Sequence, residues 1–235
     1  MAWTERTALL FGEEALAKLE AAHVLIAGLG GVGGMAAEMI ARAGVGHITI
    51  IDSDSFAESN RNRQIAALSS TIGMPKTEVV ARRLLDINPE LDLTVCSEYL
   101  DETSIPCLVP PGTGFVVDAI DTLSPKVALA QWCVKNGIPL VSSMGSGAKT
   151  DATRVRLADI SRTEHCPLAR MFRKRLHKLG IREGFLAVYS DEEPLEGATV
   201  LEEGRNKKSN VGSVSYLPAV FGCVCAQAVI TRLCL

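Results

Sequence analysis

Short apolar runs alternate along the first half of the chain with longer stretches whose apolar residues recur every three or four positions. The short runs are rich in valine and isoleucine and end at glycine, proline or aspartate, which is typical of strands, whereas the longer stretches have the period of amphipathic helices. Strands are predicted at residues 23–27, 47–51, 91–96, 115–117 and 138–142, and helices at 12–22, 35–43, 76–87 and 125–136. This alternation predicts an α/β fold in which a mostly parallel sheet carries helices on both faces.

The alternation of strand-like and helix-like segments becomes less regular after about residue 145. The pattern there predicts strands at 155–157, 185–189 and 211–217 and helices at 167–179 and 219–233. Residues 191–210 are charged, contain glycine and show no period, which predicts a mobile loop. This second half has too few apolar segments to form a core of its own. We therefore expect one domain over residues 1–235, with a first part at 1–145 and a β-rich extension with a terminal helix at 146–235.

Composition and charge exclude several classes of protein. The 235 residues include 24 Lys plus Arg and 27 Asp plus Glu, a net charge of −3, so nucleic acid could bind only at a local basic patch. The seven cysteines show no paired C-x-x-C spacing, which argues against a disulfide framework or a four-cysteine zinc site. No signal peptide is apparent, and the uncharged stretch 209–231 is interrupted by polar residues, so we expect a cytoplasmic protein without a membrane span.

A glycine cluster follows the first predicted strand and opens the next helix. Its glycines are Gly28, Gly30, Gly31 and Gly33, and Asp52 ends the second predicted strand. Glycines in this position permit a tight turn and close approach of the backbone to a phosphate, while a carboxylate after the next strand can accept hydrogen bonds from ribose hydroxyls. The pattern predicts a Rossmann-like nucleotide site but leaves open which nucleotide binds.

Basic and amide residues in the next segment favour a triphosphate. Asn60, Arg63 and Lys76 are candidate phosphate and ribose contacts because several negative charges around a reacting phosphorus must be neutralised. Asp54 and Gln64 lie in the same segment and are further candidates. Lys76 stands at the start of a predicted helix, where a cation opposes the helix dipole unless an anion compensates it. A solvated basic turn is the alternative for this segment.

An acidic pair follows the strand predicted at 115–117. Asp118 ends that strand and is expected to be structural, whereas Asp121 falls just beyond it, in the crevice where open α/β sheets bind ligands. Mg²⁺ is commonly held by one or two carboxylates and phosphate oxygens, so Asp121 is the candidate metal ligand. Its alternative role is to cap the following helix.

These motifs together resemble the E1-like adenylating enzymes, which include the ThiF/MoeB group and the ubiquitin-activating enzymes. The matching segments are R-T-A-L-L-F-G, G-L-G-G-V-G, I-D-S-D, N-R-N-R-Q, G-M-P-K and D-A-I-D-T, spread over residues 6–143. The resemblance implies that a carboxylate attacks the α-phosphate of Mg-ATP, with release of pyrophosphate. It also implies that Asp52 binds ribose, that Asp121 holds Mg²⁺, and that Arg6 reaches into the partner's site of a homodimer. By the same resemblance, Asn60, Arg63 and Lys76 bind the phosphates.

The second half resembles the tRNA threonylcarbamoyladenosine dehydratase subgroup of that family. The matching segments are S-M-G-S-G-A-K at 143–149, A-D-I at 158–160, H-C-P-L-A-R at 165–170, V-Y-S at 188–190 and G-S-V-S-Y-L-P at 212–218. This resemblance implies ATP-dependent adenylation of the threonyl carboxylate on a tRNA adenosine, followed by ring closure with loss of AMP. A sulfur-transfer protein is a further partner that it implies.

The helix predicted at 167–179 has an apolar side and a basic side. Its neighbourhood contains no acid between Glu164 and Glu183, which favours contact with RNA phosphates, although a solvated charged face is the alternative. The basic residues are Arg170, Arg173, Lys174, Arg175, Lys178 and Arg182, with Arg205, Lys207 and Lys208 in the loop.

Three other functions remain open from the sequence. A carrier-protein adenylyltransferase of the ThiF/MoeB type would activate the C-terminus of a ubiquitin-like sulfur carrier and would need an essential cysteine, for which Cys166 beside His165 is the candidate. Ring closure needs no enzyme thioester, and cysteines are most often buried apolar residues, so we expect Cys166 to be structural. A nucleotide-binding module without catalysis and an NAD oxidoreductase are the remaining alternatives.

Overall fold

The computed structural model describes residues 3–201 and 209–235. Its helices are α1 Glu5–Phe11, α2 Glu13–Ala21, α3 Gly31–Arg42, α4 Lys76–Ile87, α5 Ile105–Leu108, α6 Leu123–Lys135, α7 Pro167–Lys178 and α8 Tyr216–Cys234. Its strands are β1 His23–Ala27, β2 His47–Ile51, β3 Asp92–Cys96, β4 Phe115–Asp118, β5 Leu140–Ser143, β6 Val155–Asp159, β7 Leu186–Ser190, β8 Thr199–Leu201 and β9 Ser209–Val211.

Seven of these strands form one sheet in the order β3-β2-β1-β4-β5-β7-β6. Only β6 runs antiparallel to its neighbour, β7. The order reverses direction beside β1, which pairs in parallel with both β2 and β4. This reversal opens a crevice at the carboxyl ends of the strands, the position at which α/β sheets bind ligands. The predicted mostly parallel α/β sheet is confirmed.

Helices cover both faces of the sheet because its strands are apolar on both sides. One face packs on α3, α4 and α8, with Ile40, Leu84 and Phe221 in its core. The other face packs on α6 and α7, through Leu129 and Phe172. Helix α8 is long and apolar enough to cross a membrane, yet its side chains lie in the core against α3 and the sheet, so it is a buried core helix.

Several local predictions were wrong. The helix predicted at 12–22 is present as α2, but α1, which precedes it and is separated from it by Gly12 with a φ of +90°, was not predicted. Helix α3 starts at Gly31, inside the glycine cluster, instead of at residue 35. Part of the loop predicted at 191–210 forms a two-stranded hairpin of β8 and β9, and the strand predicted at 211–217 ends at Val211. The four-residue helix α5 was not predicted.

Candidate active site

A cleft of about 790 Å³ opens at the carboxyl ends of β1, β2, β4 and β5. Two groups of residues line it. The first wall is formed by the glycine turn and the segments after β2 and β4, and it contains nine of the predicted site residues: Gly28, Gly30, Gly31, Asp52, Asp54, Arg63, Gln64, Lys76 and Asp121. The second wall is formed by residues 143–149, the start of α7, and the hairpin residues Thr199 and Val211.

The glycine turn brings bare backbone to the cleft. Gly28 has a φ of +88°, and a Cβ on Gly33 would lie 1.7 Å from the carbonyl oxygen of Gly28, so both glycines are required by the tightness of the turn itself. At Gly30 the nearest protein atom to an added Cβ is 3.8 Å away, on Gln64. Packing within the chain therefore leaves space at Gly30, at the N-terminus of α3, where N–H groups and the helix dipole favour a phosphate.

Asp52 and Lys76 form an anchored pair at the end of β2. One oxygen of Asp52 accepts the N–H of Leu29 at 2.6 Å and the other accepts the N–H of Asp54 at 2.8 Å. The ammonium group of Lys76 lies 2.8 Å from Asp54 Oδ2 and 3.6 Å from Asp52 Oδ2, and the lysine is only 6% exposed. These carboxylates compensate the cation at the start of α4. A carboxylate has about four lone-pair sites, so Asp52 keeps capacity for a hydroxyl donor.

The amide oxygen of Gln64, which lines the first wall, lacks a hydrogen-bond partner. The residue is 8% exposed, and its Oε1 finds no hydrogen-bond donor among the described residues. A buried acceptor left unpaired costs about 1–3 kcal/mol. This oxygen, the space at Gly30 and the cation of Lys76 together fit a nucleotide, which supplies hydroxyl or amine donors and phosphate acceptors.

Arg63 and Asn60 belong to the turn that carries Gln64. Asn60 does not line the cleft; its Oδ1 accepts the N–H of Ala57 at 3.0 Å, and its carbonyl oxygen accepts the N–H groups of Arg63 and Gln64. Arg63 lines the cleft, and its guanidinium donates to the carbonyl oxygen of Ser59 at 2.9 Å. In this structure Asn60 therefore orders the turn, while Arg63 faces the cleft.

A fully buried ion pair supports the turn after β4. Lys126 Nζ lies 2.9 Å from Asp118 Oδ2 and donates to the carbonyl oxygen of Ile120 at 3.0 Å. Asp118 also accepts the hydroxyl of Ser142 at 2.6 Å and the N–H of Ile120 at 3.1 Å. These contacts fix the turn from which Asp121 reaches the cleft.

No group of three metal-ligating side chains occurs among residues 3–201 and 209–235. Mg²⁺ at Asp121 would therefore rely mainly on phosphate oxygens, as Mg²⁺ sites in nucleotide-binding proteins commonly do.

A second buried lysine, Lys149, links segments of the second wall by hydrogen bonds. Lys149 Nζ donates to the carbonyl oxygens of Ser190 at 2.8 Å and His165 at 3.2 Å, and to that of Glu192. Burial lowers the pKa of Lys149 from its ordinary value. The Glu192 carboxylate in turn accepts the N–H groups of Thr150 at 3.0 Å and Asp151 at 2.9 Å. Burial alone would raise the pKa of Glu192, but these hydrogen bonds outweigh it and the pKa is lowered.

Two residues beside this network have unfavourable backbone conformations. Ala148 has a φ of +58° and His165 a φ of +49°, and these are the only described residues other than glycine with positive φ. Such strain persists only where surrounding contacts impose it, and it clusters at functional sites. Both residues adjoin cleft-lining positions, Lys149 and Cys166, so the strained segments shape the second wall.

Cys166 caps α7. Its Sγ accepts the N–H of Ala169 at 3.5 Å, and the residue is 5% exposed within the core that contains Phe172. A small buried residue at a helix cap is explained by packing alone.

Arg6 is not in the cleft of its own chain and is exposed on α1. Arg205, Lys207 and Lys208 lie outside the described residues. Sequence reasoning missed the roles of Lys126 and Lys149. The only signals in the sequence were a lysine within an otherwise apolar helix and a lysine ending a Gly/Ser-rich segment.

Comparison with protein families places residues 4–235 in one group, described as the ThiF family. The chain belongs to the ThiF family. A Bacillus subtilis member named tRNA threonylcarbamoyladenosine dehydratase is 38% identical over 97% of this chain and 93% of the relative. The Salmonella typhimurium molybdopterin-synthase adenylyltransferase is 37% identical, but over 56% of this chain and 51% of the relative.

The crystal structure of the Escherichia coli tRNA N6-threonylcarbamoyladenosine dehydratase in complex with ATP has the same fold. It superposes with a TM-score of 0.90 at 35% identity, covering 97% of this chain and 92% of that chain. A structure of the same enzyme in complex with AMP also superposes on this chain with a TM-score of 0.90.

Proposed function

We propose that the chain is an ATP-dependent tRNA threonylcarbamoyladenosine dehydratase. The observation that carries the proposal is the extent of the similarity. The Bacillus subtilis dehydratase matches 97% of the chain, including the second wall and α8, whereas the molybdopterin-synthase adenylyltransferase matches 56%. The Escherichia coli dehydratase binds ATP on the same fold. In this proposal the first wall of the cleft would bind ATP, and the second wall would bind the threonylcarbamoyl group.

The reaction would proceed in two balanced steps. A carboxylate oxygen of the threonyl group attacks the α-phosphorus of ATP, the bond to the β-phosphate breaks, and pyrophosphate leaves. The oxygen or a nitrogen of the carbamoyl group then attacks the activated carboxyl carbon, the carbamoyl group releases an N–H proton, and AMP leaves with the former carboxyl oxygen. The modified adenosine loses one water overall, and no enzyme thioester is required, in keeping with the buried position of Cys166.

The first wall would neutralise the charge that develops on the phosphates. Lys76 and Arg63 are the cations that line it, and Asp121 would hold Mg²⁺, which when bound would supply further positive charge to the phosphates. Asp52 would accept the ribose hydroxyls, and Gln64 Oε1 would accept a nucleotide donor. We expect the N-terminus of α3 at Gly30 and Gly31 to cradle a phosphate.

Arg6 would act in trans in a homodimer. It is exposed on α1, and its exposed neighbours Trp3, Leu9 and Leu10 give this helix an apolar surface suited to a partner subunit. Two inactive variants test this arrangement, Arg6→Ala and Lys76→Ala. Mixing them should restore activity, because a heterodimer of the two contains one site with both residues. Activity that is not restored would contradict a role for Arg6 in trans.

We further expect a cytoplasmic enzyme.

Release of AMP tests the residues of the first wall. Lys76→Ala and Asp121→Ala should each abolish ATP-dependent AMP release with tRNA carrying threonylcarbamoyladenosine. The first removes a cation that would face the phosphates, and the second removes the carboxylate that would hold Mg²⁺ there. The circular dichroism spectrum should be unchanged. Lys135→Ala, an exposed lysine at the end of α6, is the control and should retain activity. AMP release that responds to a small sulfur-carrier protein and not to tRNA would favour the adenylyltransferase instead.

A further inference from the structure

One side of α7 presents an exposed row of cations. Arg170, Lys174 and Lys178 are exposed, whereas Phe172 and Leu176 of the same helix are buried. Residues four apart lie on the same side of a helix, so these three cations form an oblique row about 12 Å long on one side of α7. This basic row consists of Arg170, Lys174 and Lys178.

The basic row is unpaired, unlike Lys18 in α2 and Arg82 in α4. Lys18 pairs with Glu14 at 3.2 Å in α2, and Arg82 pairs with Glu78 in α4. Within the part of the chain that the structure describes, no ion pair involves the basic row, although every member is exposed on a chain of net charge −3. Stacked like charges four residues apart destabilise a helix by about 0.2–0.5 kcal/mol per pair.

The helix offers no compensation at its own N-terminus. The first turn of α7 contains no acidic residue, and Arg170 follows directly after it, so a cation lies close to the positive end of the dipole. Arg170 is therefore placed against the helix dipole, whereas Lys178, in the last turn, is favoured by it. An external polyanion lying along the helix would reverse both penalties.

Two neighbouring arginines are held by contacts within the chain. Arg173 is half-buried and donates to the carbonyl oxygen of Thr163 at 2.6 Å, and Arg175 donates to the hydroxyl of Ser124 at 2.9 Å. The basic side that the sequence predicts thus divides into cations that hold the fold and the basic row, which is free of such contacts.

The basic row leads to the mouth of the cleft. Cys166 and Leu168, at the start of α7, line the second wall, and so does Met171, which is 40% exposed and directly follows Arg170. One helix therefore carries both the wall that would face the substrate group and the cations that would face the chain bearing that group.

We propose that the basic row binds the phosphate backbone of the tRNA next to the modified adenosine. This inference rests on the proposed function and adds the surface that holds the substrate. Contacts of this kind fix the position and orientation of an RNA without reading its sequence. They would also place the adenosine at the second wall, close to the N-terminus of α7.

The test compares two triple variants of equal charge. The row variant is Arg170→Gln/Lys174→Gln/Lys178→Gln, and the control is Lys18→Gln/Arg82→Gln/Arg232→Gln, three exposed cations on other helices. The KM for modified tRNA is measured at several salt concentrations, together with kcat and ATP affinity. Each phosphate contact contributes a slope of about 0.7–0.9 in a plot of log affinity against log salt.

The row variant should raise the KM for tRNA at least about tenfold and lower the salt slope by about 2. Its kcat and ATP affinity should match those of the control. If the row variant has the same KM and salt slope as the control while the wild type forms the dehydrated product, the basic row is only a solvated face and the proposed function stands. If the wild type forms no dehydrated product, the proposed function fails and this inference fails with it.

Discussion

Replacing Lys126 by methionine tests the buried ion pair beneath the cleft. The substitution keeps the side-chain length but removes the ammonium group from a fully buried position. Asp118 would keep its hydrogen bonds from Ser142 and from the N–H of Ile120 but lose the cation at 2.9 Å. A buried carboxylate left without its cation costs about 3–5 kcal/mol. That is a large part of the roughly 5–15 kcal/mol by which a domain is stable.

Urea unfolding followed by circular dichroism measures this loss. Lys126→Met should lower the free energy of unfolding by about 3–5 kcal/mol with little change in the slope against urea. Lys135→Met, at the exposed end of the same helix, should change it by no more than about 0.5 kcal/mol.

The double variant Asp118→Asn/Lys126→Met isolates the interaction. It should be more stable than Lys126→Met alone, because the remaining polar group is neutral and costs less to bury. A loss below about 1 kcal/mol for Lys126→Met, or a double variant whose loss equals the sum of the single ones, would refute the view that this pair holds the turn of Asp121.

Three further predictions concern the turn, the capping cysteine and a buried acid. Gly30→Ala should leave the thermal midpoint unchanged but weaken ATP binding, since the added methyl group has room within the chain and would occupy ligand space. Gly33→Ala should instead destabilise the fold, because its methyl group would overlap the Gly28 carbonyl. Equal ATP affinity for wild type and Gly30→Ala would contradict a phosphate cradle. Cys166→Ser should retain turnover within a few-fold, because serine also caps helices, and complete loss of turnover would point to a thioester. Burial alone would raise the pKa of Glu38, but the hydrogen bonds from Arg83 hold this pKa below its ordinary value of 4.5. The ionised carboxylate therefore stabilises the fold above pH 4.5, and this stabilisation is lost as the pH falls through the folded-state pKa. The stability advantage of wild type over Glu38→Gln, measured by urea midpoints, should therefore shrink in acid, and an advantage constant from neutral to strongly acidic pH would be the contrary result.

The fold could be predicted where local signals agree. Valine- and isoleucine-rich runs between turn residues identified the strands of the sheet, and these are confirmed. The helix start at Gly31 was missed because glycine has low helix propensity. Helix α3 nevertheless begins there, and its first backbone N–H groups lie at the cleft. The β8–β9 hairpin was missed because its strands have three residues each and lie in a charged segment.

The residues of the site could be predicted where a local sequence pattern, such as a residue directly after a strand, marks their position. Gly28, Asp52 and Asp121 each follow a strand, and the carboxyl ends of parallel strands meet at one edge, so these residues line one cleft. Lys149 could not be assigned in this way, because its acceptors are carbonyl oxygens 16, 41 and 43 positions away. Which of the basic residues of α7 are free was equally hidden, since the partner of Arg175 lies on α6.

Nucleoside mass spectrometry tests the central claim most directly. Transfer RNA that carries open-ring threonylcarbamoyladenosine is incubated with the protein, ATP and Mg²⁺ and then digested to nucleosides. We expect a nucleoside lighter by one water, formed only when ATP is present and in step with AMP release. An unchanged nucleoside mass with a protein that binds ATP would contradict the dehydratase assignment.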